Sequence, residues 1–385
     1  MDKLKILHTA DLHMGSPFTG SGFDADRIKQ RKKDLFDCFS GILKTAQKKK
    51  VDLIIISGDL FEENRVKLSE INSILQSLSE TTPIRVILLP GNHDHIRPGG
   101  FYDWLQMPPN VFLFRNREFD RFEFEDLSLA VYGSAFNSQE DSERVLSRLR
   151  FDDNRKYRIA AFHGSLIPEG DETNVKYRPF TETEISDLGI DYVALGHYHK
   201  PLIMKNTHGR IIASYPGSPE PLNFGEAHTH SFNIVTIENN SVNIETIPSS
   251  IRKYFLLNID CSGMNTEKDV TAACRKAASS AAAESDIIGF NLKGRLEKGL
   301  KFDKDAIAAE MRKHYFWVKV TDETYPDIDI ESISREETTR GGFARHMLEL
   351  MEAERQSADT EKIERLNDAL FYGLSALDGK RPEKR

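Results

Sequence analysis

The sequence predicts a mixed α/β fold over its first 250 residues. Apolar, β-branched runs recur there: LKILHTA, VDLIIIS, IRVILLP, YRIAAFH and DYVALG. Amphipathic stretches with helical spacing separate several of them, and turn-forming clusters punctuate the rest. Two stacked sheets or one large mixed sheet satisfy this alternation.

The elements follow in order. LKILHTA opens as a strand. Residues 26–50 form the clearest helix, with Ile28, Leu35, Phe39, Ile42, Leu43 and Ala46 on one face. VDLIIIS and IRVILLP are continuous apolar runs of the kind buried on both faces. Between 111 and 136 the pattern shortens to VFLF, FEFE and LSLAVYG, read as hairpins or a sheet edge. SYPGSPEP is turn chemistry. SFNIVTIENNSVNIETI reads as a hairpin with Asn239 and Asn240 near its turn.

From about residue 251 the pattern resets. KYFLLNI, IIGFNLKGRL and FWVKVTD are expected strands, and 267–284 and 303–314 expected helices, giving a small α/β domain over 251–325. Residues 326–334 read as a linker. The stretch 335–378 is helical and charged, with a sticky face that includes Met347, Leu350, Met351, Leu366, Leu370 and Phe371, and a break near 357–360. Such a face docks on its own domain or takes a partner helix. The terminal GKRPEKR reads as disordered.

The 385 residues carry a formal net charge of -8. That argues against a chain that grips nucleic acid by its global field alone, and it fits a site rich in ligand carboxylates. The N-terminus shows no signal-peptide pattern and no run is long enough to span a membrane, so a cytoplasmic protein is expected. Cys38, Cys261 and Cys274 are too few and too scattered for a disulfide framework and read as apolar packers.

Five segments place metal-type side chains just after expected strands: Asp11-Leu12-His13, Gly58-Asp59, Gly91-Asn92-His93-Asp94, His163-Gly164 and Gly196-His197-Tyr198-His199. Parallel strands would bring them to one sheet edge, where open α/β sheets carry their sites. In an extended segment residues i and i+2 point the same way, so Asp11 with His13, and His197 with His199, reach one site. The glycines suit a backbone that leaves a strand sharply beside a metal. Oxygen and imidazole donors without thiolate suit Mn²⁺, Fe²⁺, Zn²⁺ or Mg²⁺. The candidates outnumber one ion's needs, and two ions sharing a carboxylate would use them all. The other histidines, His8 and His95 among them, read as ordinary polar residues.

The order DxH, GD, GNHD, HG, GHxH resembles the calcineurin-like metallophosphoesterase superfamily. Within it, DLH, GDLF, PGNHD, LGHYHKP and the later YPGSPEPLNFGE resemble the SbcD-type DNA repair nucleases, the YhaO branch among them. The resemblance covers residues 1–250. It implies a two-sheet sandwich flanked by helices, followed by a capping domain at 251–325 and a partner-binding tail at 335–378. It also implies a site. Asp11, His13, Asp59 and His199 would hold one cation, and Asp59, Asn92, His163 and His197 the other, with Asp59 bridging and manganese the expected metal. His93 would bind no metal and face the scissile phosphate, where an imidazolium stabilises charge or protonates the leaving oxygen. Such an imidazole needs an orienting partner. Glu62 is the candidate, although several repair nucleases carry a histidine there, and Asp94 should point away. Glu63 reads as a solvated loop charge.

Rim contacts to phosphate are expected of Arg65, Arg97, Arg178 and Lys200, with Lys176 and Tyr177 also in range. Phe61, Phe101, Tyr102 and Trp104 read as core. The resemblance further implies a DNA exo- or endonuclease of double-strand-break repair, working as a homodimer with an SbcC-type coiled-coil ATPase held by the helical tail. A phosphoesterase acting on a small phosphodiester or nucleotide is the alternative. A non-catalytic subunit is the third reading, and the complete ligand set stands against it.

Overall fold

A computed structural model describes residues 3–170, 175–296, 302–355 and 360–379. Two compact units divide the chain, Met1–Tyr254 and Phe255–Arg385.

The first unit alternates strands and helices: β1 (Lys3–Thr9), α1 (Ala25–Lys49), β2 (Leu53–Ser57), α2 (Leu68–Ser79), β3 (Arg85–Leu89), α3 (Phe101–Trp104) and β4 (Val111–Leu113). It continues through β5 (Asp120–Phe124), β6 (Leu129–Gly133), β7 (Tyr157–His163), α4 (Glu182–Asp187) and β8 (Tyr192–Gly196). The closing strands are β9 (Leu202–Lys205), β10 (Ile211–Tyr215), β11 (Ser231–Glu238) and β12 (Ser241–Pro248). They form two six-stranded sheets, ordered β12-β11-β1-β2-β3-β4 and β5-β6-β7-β8-β10-β9. Strands β1 to β4 run parallel, as do β6, β7, β8 and β10, while β5, β9, β11 and β12 join by antiparallel pairing.

The unbroken apolar runs have a simple cause. Alternate residues face opposite sides of a strand, so a strand covered on both faces needs apolar residues throughout. Leu53 and Ile55 of β2 pack with Ile159 and Ala161 of β7 between the sheets. Ile54 and Ile56 turn the other way, onto Leu35, Phe39 and Ile42 of α1 and Ile71 and Ile74 of α2. Phe162 of β7 and Leu195 of β8 pack under Ile185 of α4. Asp24 caps α1 by accepting a hydrogen bond from the Arg27 amide at 2.8 Å. At the hairpin, Asn239 and Asn240 both take positive φ, 50° and 62°, as the tight β11-β12 turn requires.

Buried polar networks interrupt this packing. His8, on the inter-sheet face of β1, is 2.8 Å from the Tyr192 hydroxyl and 3.0 Å from the Leu195 carbonyl, both on β8. The Tyr192 hydroxyl in turn meets Ser214 Oγ at 2.6 Å. Elsewhere Arg31 of α1 donates to Asp34 at 2.8 Å, to Glu220 at 2.6 Å and to the Pro221 carbonyl at 2.8 Å, while Arg252 donates to Asp34 at 2.7 Å.

The second unit holds β13 (Tyr254–Asp260), α5 (Glu267–Ala281), β14 (Ile287–Lys293), β15 (Arg295–Leu296), α6 (Lys304–Met311), β16 (Trp317–Asp322) and β17 (Tyr325–Pro326). Three helices follow, α7 (Ile330–Ser334), α8 (Thr339–Arg355) and α9 (Thr360–Leu377). Strands β13, β14 and β16 make one sheet, and β15 pairs with β17. Val270 and Cys274 of α5 and Ile307 and Met311 of α6 pack on Ile288, Phe290 and Val318.

The segment read as a linker is structured: Ile330 and Ile333 of α7 are buried with Met347, Met351, Leu370 and Leu374. The sticky face of the tail is thus largely covered within its own unit. Leu350 and Leu377 stay exposed. Most of the expected break near 357–360, and the terminal residues 380–385, lie outside the described residues. Among the described residues no helix is long and apolar enough to cross a membrane. All three cysteines are buried and free.

Candidate metal centre

The site gathers at the carboxyl ends of strands from both sheets rather than along one sheet edge. β1, β2 and β3 deliver Asp11, His13, Asp59, Asn92 and His93; β7 and β8 deliver His163, His197 and His199. The approach is tight enough to dictate two residues. A Cβ on Gly58 would lie 2.0 Å from His163 Nδ1, and one on Gly196 would lie 1.8 Å from the Ser57 carbonyl oxygen. These glycines therefore make room for the opposing sheet.

The expected extended geometry is also corrected. Asp11, His13, Asp59 and His197 take positive φ of 54°, 47°, 52° and 111°. Side chains with a Cβ rarely adopt this region, at about 1–3 kcal/mol each, and such residues persist where surrounding bonds over-determine them. Here backbone bonds do so. The Asp11 amide donates to the Gly58 carbonyl at 3.1 Å and the His13 amide to the Asp59 carbonyl at 2.9 Å.

Three donor groups result, one of them His13, Glu62 and His93. Oxygen and nitrogen atoms of Asp11, His13 and His199 lie within 4.8 Å of one another, and so do those of Asp11, Asp59 and His163. His13 Nε2 and His199 Nε2 stand 3.1 Å apart. Each of these rings has its Nδ1 against a carboxylate, His13 on Glu62 at 2.8 Å and His199 on Glu226 at 3.0 Å. With protons on Nδ1, two Nε2 lone pairs face each other, an arrangement that a cation between them relieves. Asp59 Oδ2 lies between the groups, 3.8 Å from His13 Nε2 and 3.4 Å from His163 Nε2. His163 Nε2 also stands 3.1 Å from Asn92 Oδ1, while its Nδ1 donates to the Ser57 carbonyl at 2.9 Å. The His197 ring lies 5.3 Å from that of His163, and its amide donates to Asp11 at 3.1 Å. The donor chemistry, hard oxygens with imidazole and no thiolate, fits divalent ions such as Mn²⁺.

Electrostatics points the same way. Burial raises the Asp11 carboxyl pKa. Burial opposes ionisation of Asp59 too, but His163 and His13 outweigh it and hold that carboxyl well below its usual range. Burial disfavours the His163 imidazolium, yet Asp59 and Asp11 raise its pKa to about 9. His197, buried beside His163, is pushed down to about 3. The buried acids call for positive charge, which protons supply when cations do not.

His93 sits on the rim with Nδ1 3.1 Å from Glu62 Oε1, the same oxygen that His13 uses. That bond is the first cause raising its pKa to about 9, against partial burial. Asp94 does point away: buried, it accepts from the amides of Leu60, Phe61 and Gly91 and from the Tyr102 hydroxyl. His95 rests on the Asn92 carbonyl at 3.2 Å.

Several expectations fail. Arg178 is not on the rim. It is fully buried, donating to Asp141 at 3.0 Å, to the carbonyls of Ser134 and Ala135 at 2.7 and 2.8 Å, and stacking over Phe136. Glu63 is not solvated: its side chain is 5% exposed and pairs with Arg97 at 2.9 Å. That pair engages the guanidinium expected to meet phosphate. Lys176 pairs with Glu140 at 2.8 Å, while Tyr177 lies 4.8 Å from the His197 ring. Trp104 is 54% exposed, whereas Phe61, Phe101 and Tyr102 are buried. Arg65 and Lys200 are exposed. Sequence reasoning missed Glu226. Its only signal was its place in YPGSPEPLNFGE, since its partner His199 lies 27 residues away.

Residues 4–201 match the family model described as calcineurin-like phosphoesterase. The chain is 30% identical over 249 residues to an uncharacterised metallophosphoesterase, YhaO, of Bacillus subtilis, covering 63% of this chain and 59% of that one. It is 25% identical over 367 residues to the DNA double-strand break repair protein Mre11 of Methanopyrus kandleri, covering 89% of this chain and 78% of that one. With the SbcD component of the SbcCD nuclease of Staphylococcus epidermidis it shares 26% identity over 278 residues, covering 63% and 68%. The chain thus spans about three fifths of YhaO's length.

Proposed function

The chain belongs to the calcineurin-like phosphoesterase family, and from that premise we propose that it is a two-metal phosphodiesterase acting on DNA. One observation carries the reading: two donor groups adjoin through Asp11, Asp59 Oδ2 stands 3.8 Å from His13 Nε2 of one and 3.4 Å from His163 Nε2 of the other, and His93 lies beside them on Glu62. Similarity to Mre11 and to SbcD, over 89% and 63% of this chain, supports DNA as the substrate.

In this reading Asp11, His13, Asp59 and His199 hold one divalent ion, and Asp59, Asn92, His163 and His197 hold the other, both Mn²⁺. Bound there, the ions supply a water acidic enough to attack near neutral pH and offset charge on the phosphoryl oxygens. The chain's own residues do the rest. His93 carries a proton at Nε2, held in place through Nδ1 by Glu62, and either stabilises the developing charge or passes the proton to the leaving oxygen. Exposed Arg65 and Lys200 meet phosphates on the rim.

The protein works in the cytoplasm, as a homodimer, with an SbcC-type coiled-coil ATPase that supplies much of the grip on DNA. The exposed Leu350 of α8 is the contact we assign to that ATPase. Leu350→Glu should abolish co-purification while leaving the buried face of α8 intact, and survival of the complex would reject the assignment.

For the activity, the purified chain with Mn²⁺, and with the ATPase added, is assayed on linear duplex DNA, on single-stranded DNA and on a small phosphodiester, beside Asp59→Asn and His93→Ala. DNA cleavage lost in both variants is expected. Turnover confined to the small phosphodiester would replace DNA as the substrate, and cleavage of nothing under any condition would make the chain a non-catalytic subunit.

A further inference from the structure

Glu226 lies outside both ligand groups and outside the contacts of His93. It ends a short turn at Phe224–Glu226, between β10 and β11, and is 8% exposed. Four donors converge on it: His199 Nδ1 at 3.0 Å, the Leu222 amide at 3.1 Å, Asn223 Nδ2 at 3.0 Å and Ser218 Oγ at 3.4 Å. Backbone and side-chain bonds from its own loop fix the carboxylate, and the carboxylate fixes an imidazole from another strand end.

The consequence is chemical. A proton held on Nδ1 leaves the Nε2 lone pair of His199 aimed at Asp11 and His13. His13 is held in the same way by Glu62. An anionic acceptor behind a ligand imidazole raises its basicity, and neighbouring partners of this kind are worth tenfold to a hundredfold in metal affinity. The opposing group is backed differently, for His163 donates to the neutral Ser57 carbonyl. The two cation subsites are therefore unequal in what stands behind them.

We propose that Glu226 is a positioning residue of the metal centre, and that with Glu62 it makes the Asp11, His13 and His199 subsite the tighter of the two. This inference rests on the two-metal reading. Its test is calorimetric titration of the metal-free full chain with Mn²⁺, with free Mn²⁺ counted by paramagnetic resonance, so that no activity is needed.

The wild-type protein is expected to bind two ions in two steps. Glu226→Gln, which keeps shape and loses charge, should weaken the tighter step by about ten- to a hundredfold, leaving the weaker step within about twofold, and Glu226→Ala should do at least as much. Asn92→Ala, in the other subsite, should weaken the second step and so identify it. Ser249→Ala removes the bond from Ser249 Oγ to the Pro219 carbonyl at 2.6 Å, a contact to the same loop that touches neither Glu226 nor His199. It should lower the melting temperature and move neither step, which separates positioning from loop support. An unchanged tighter step in both Glu226 variants would overturn the proposal while leaving the two-metal reading intact, as would a change confined to the weaker step. A wild-type protein that bound fewer than two ions would overturn both.

Discussion

Glu62 serves two imidazoles with one oxygen, so its loss should act on both. Its own carboxyl is held down to about 2; burial opposes this, and the bonds from His13 and His93 prevail. In return it raises His93 to about 9. The proton on His93 is therefore retained below that value and lost above it, and bound cations nearby push the limit lower. Glu62→Gln should cut turnover by about ten- to a hundredfold and move the alkaline limb of the kcat/KM profile to lower pH. An unmoved limb would show that His93 does not report through Glu62. Arg178 calls for the opposite kind of variant. Arg178→Ala leaves Asp141 with Arg117 as its remaining partner and takes the Arg178 donors from the Ser134 and Ala135 carbonyls, at about 1–3 kcal/mol of stability by urea unfolding. KM for DNA should stay unchanged, whereas a raised KM with normal stability would restore it to the rim. Sequence could not place it there or elsewhere. A guanidinium is read as surface unless its acid is known, and Asp141 lies 37 residues away. Glu63 was misread for the same reason, its partner Arg97 arriving from the loop after β3.

Elements were more legible than partners. The unbroken runs of β2 and β3 announced strands covered on both faces, and paired asparagines announced the β11-β12 turn. Left-handed backbone at Asp11, His13 and Asp59 gave no such signal, because it is imposed by bonds to the neighbouring strand end. β1 carries a further feature that sequence left unread, a histidine facing the other sheet. Burial pushes His8 down to about 3, with the Leu195 carbonyl working against that shift. A histidine kept neutral in the fold but free to protonate when unfolded contributes stability that is complete above pH 6.5. That contribution falls away as the pH drops from there toward 3. This one group should tilt unfolding free energy by about 1.4 kcal/mol per pH unit in that window. His8→Gln cannot take the proton, so urea titrations between about pH 4.5 and 6 should show a shallower slope for the variant. Equal slopes would mean that other groups govern acid unfolding.

At the scale of the molecule, the division of labour between the sheets matters most. The motifs were readable because each pairs an unusual side chain with a strand end. That they would come from two sheets was not, since no single strand records which layer it joins. Asp11, His13, Asp59 and Asn92 follow strands of one sheet; His163, His197 and His199 belong to the other. Any ion bound between them fastens two layers otherwise joined by side-chain packing and a few polar bonds such as that of His8. Ligand occupancy then becomes a term in the folding equilibrium. An ion at a hundredfold its dissociation constant adds about 2.7 kcal/mol per site, so the melting temperature should climb with Mn²⁺ and drop in a chelator. Asn92→Ala should blunt the climb, and a melting curve indifferent to Mn²⁺ would deny the coupling. Starved of its ion, the protein would lose a bound cation and slacken its architecture together, so that the metal-free form is also the form most open to proteolysis.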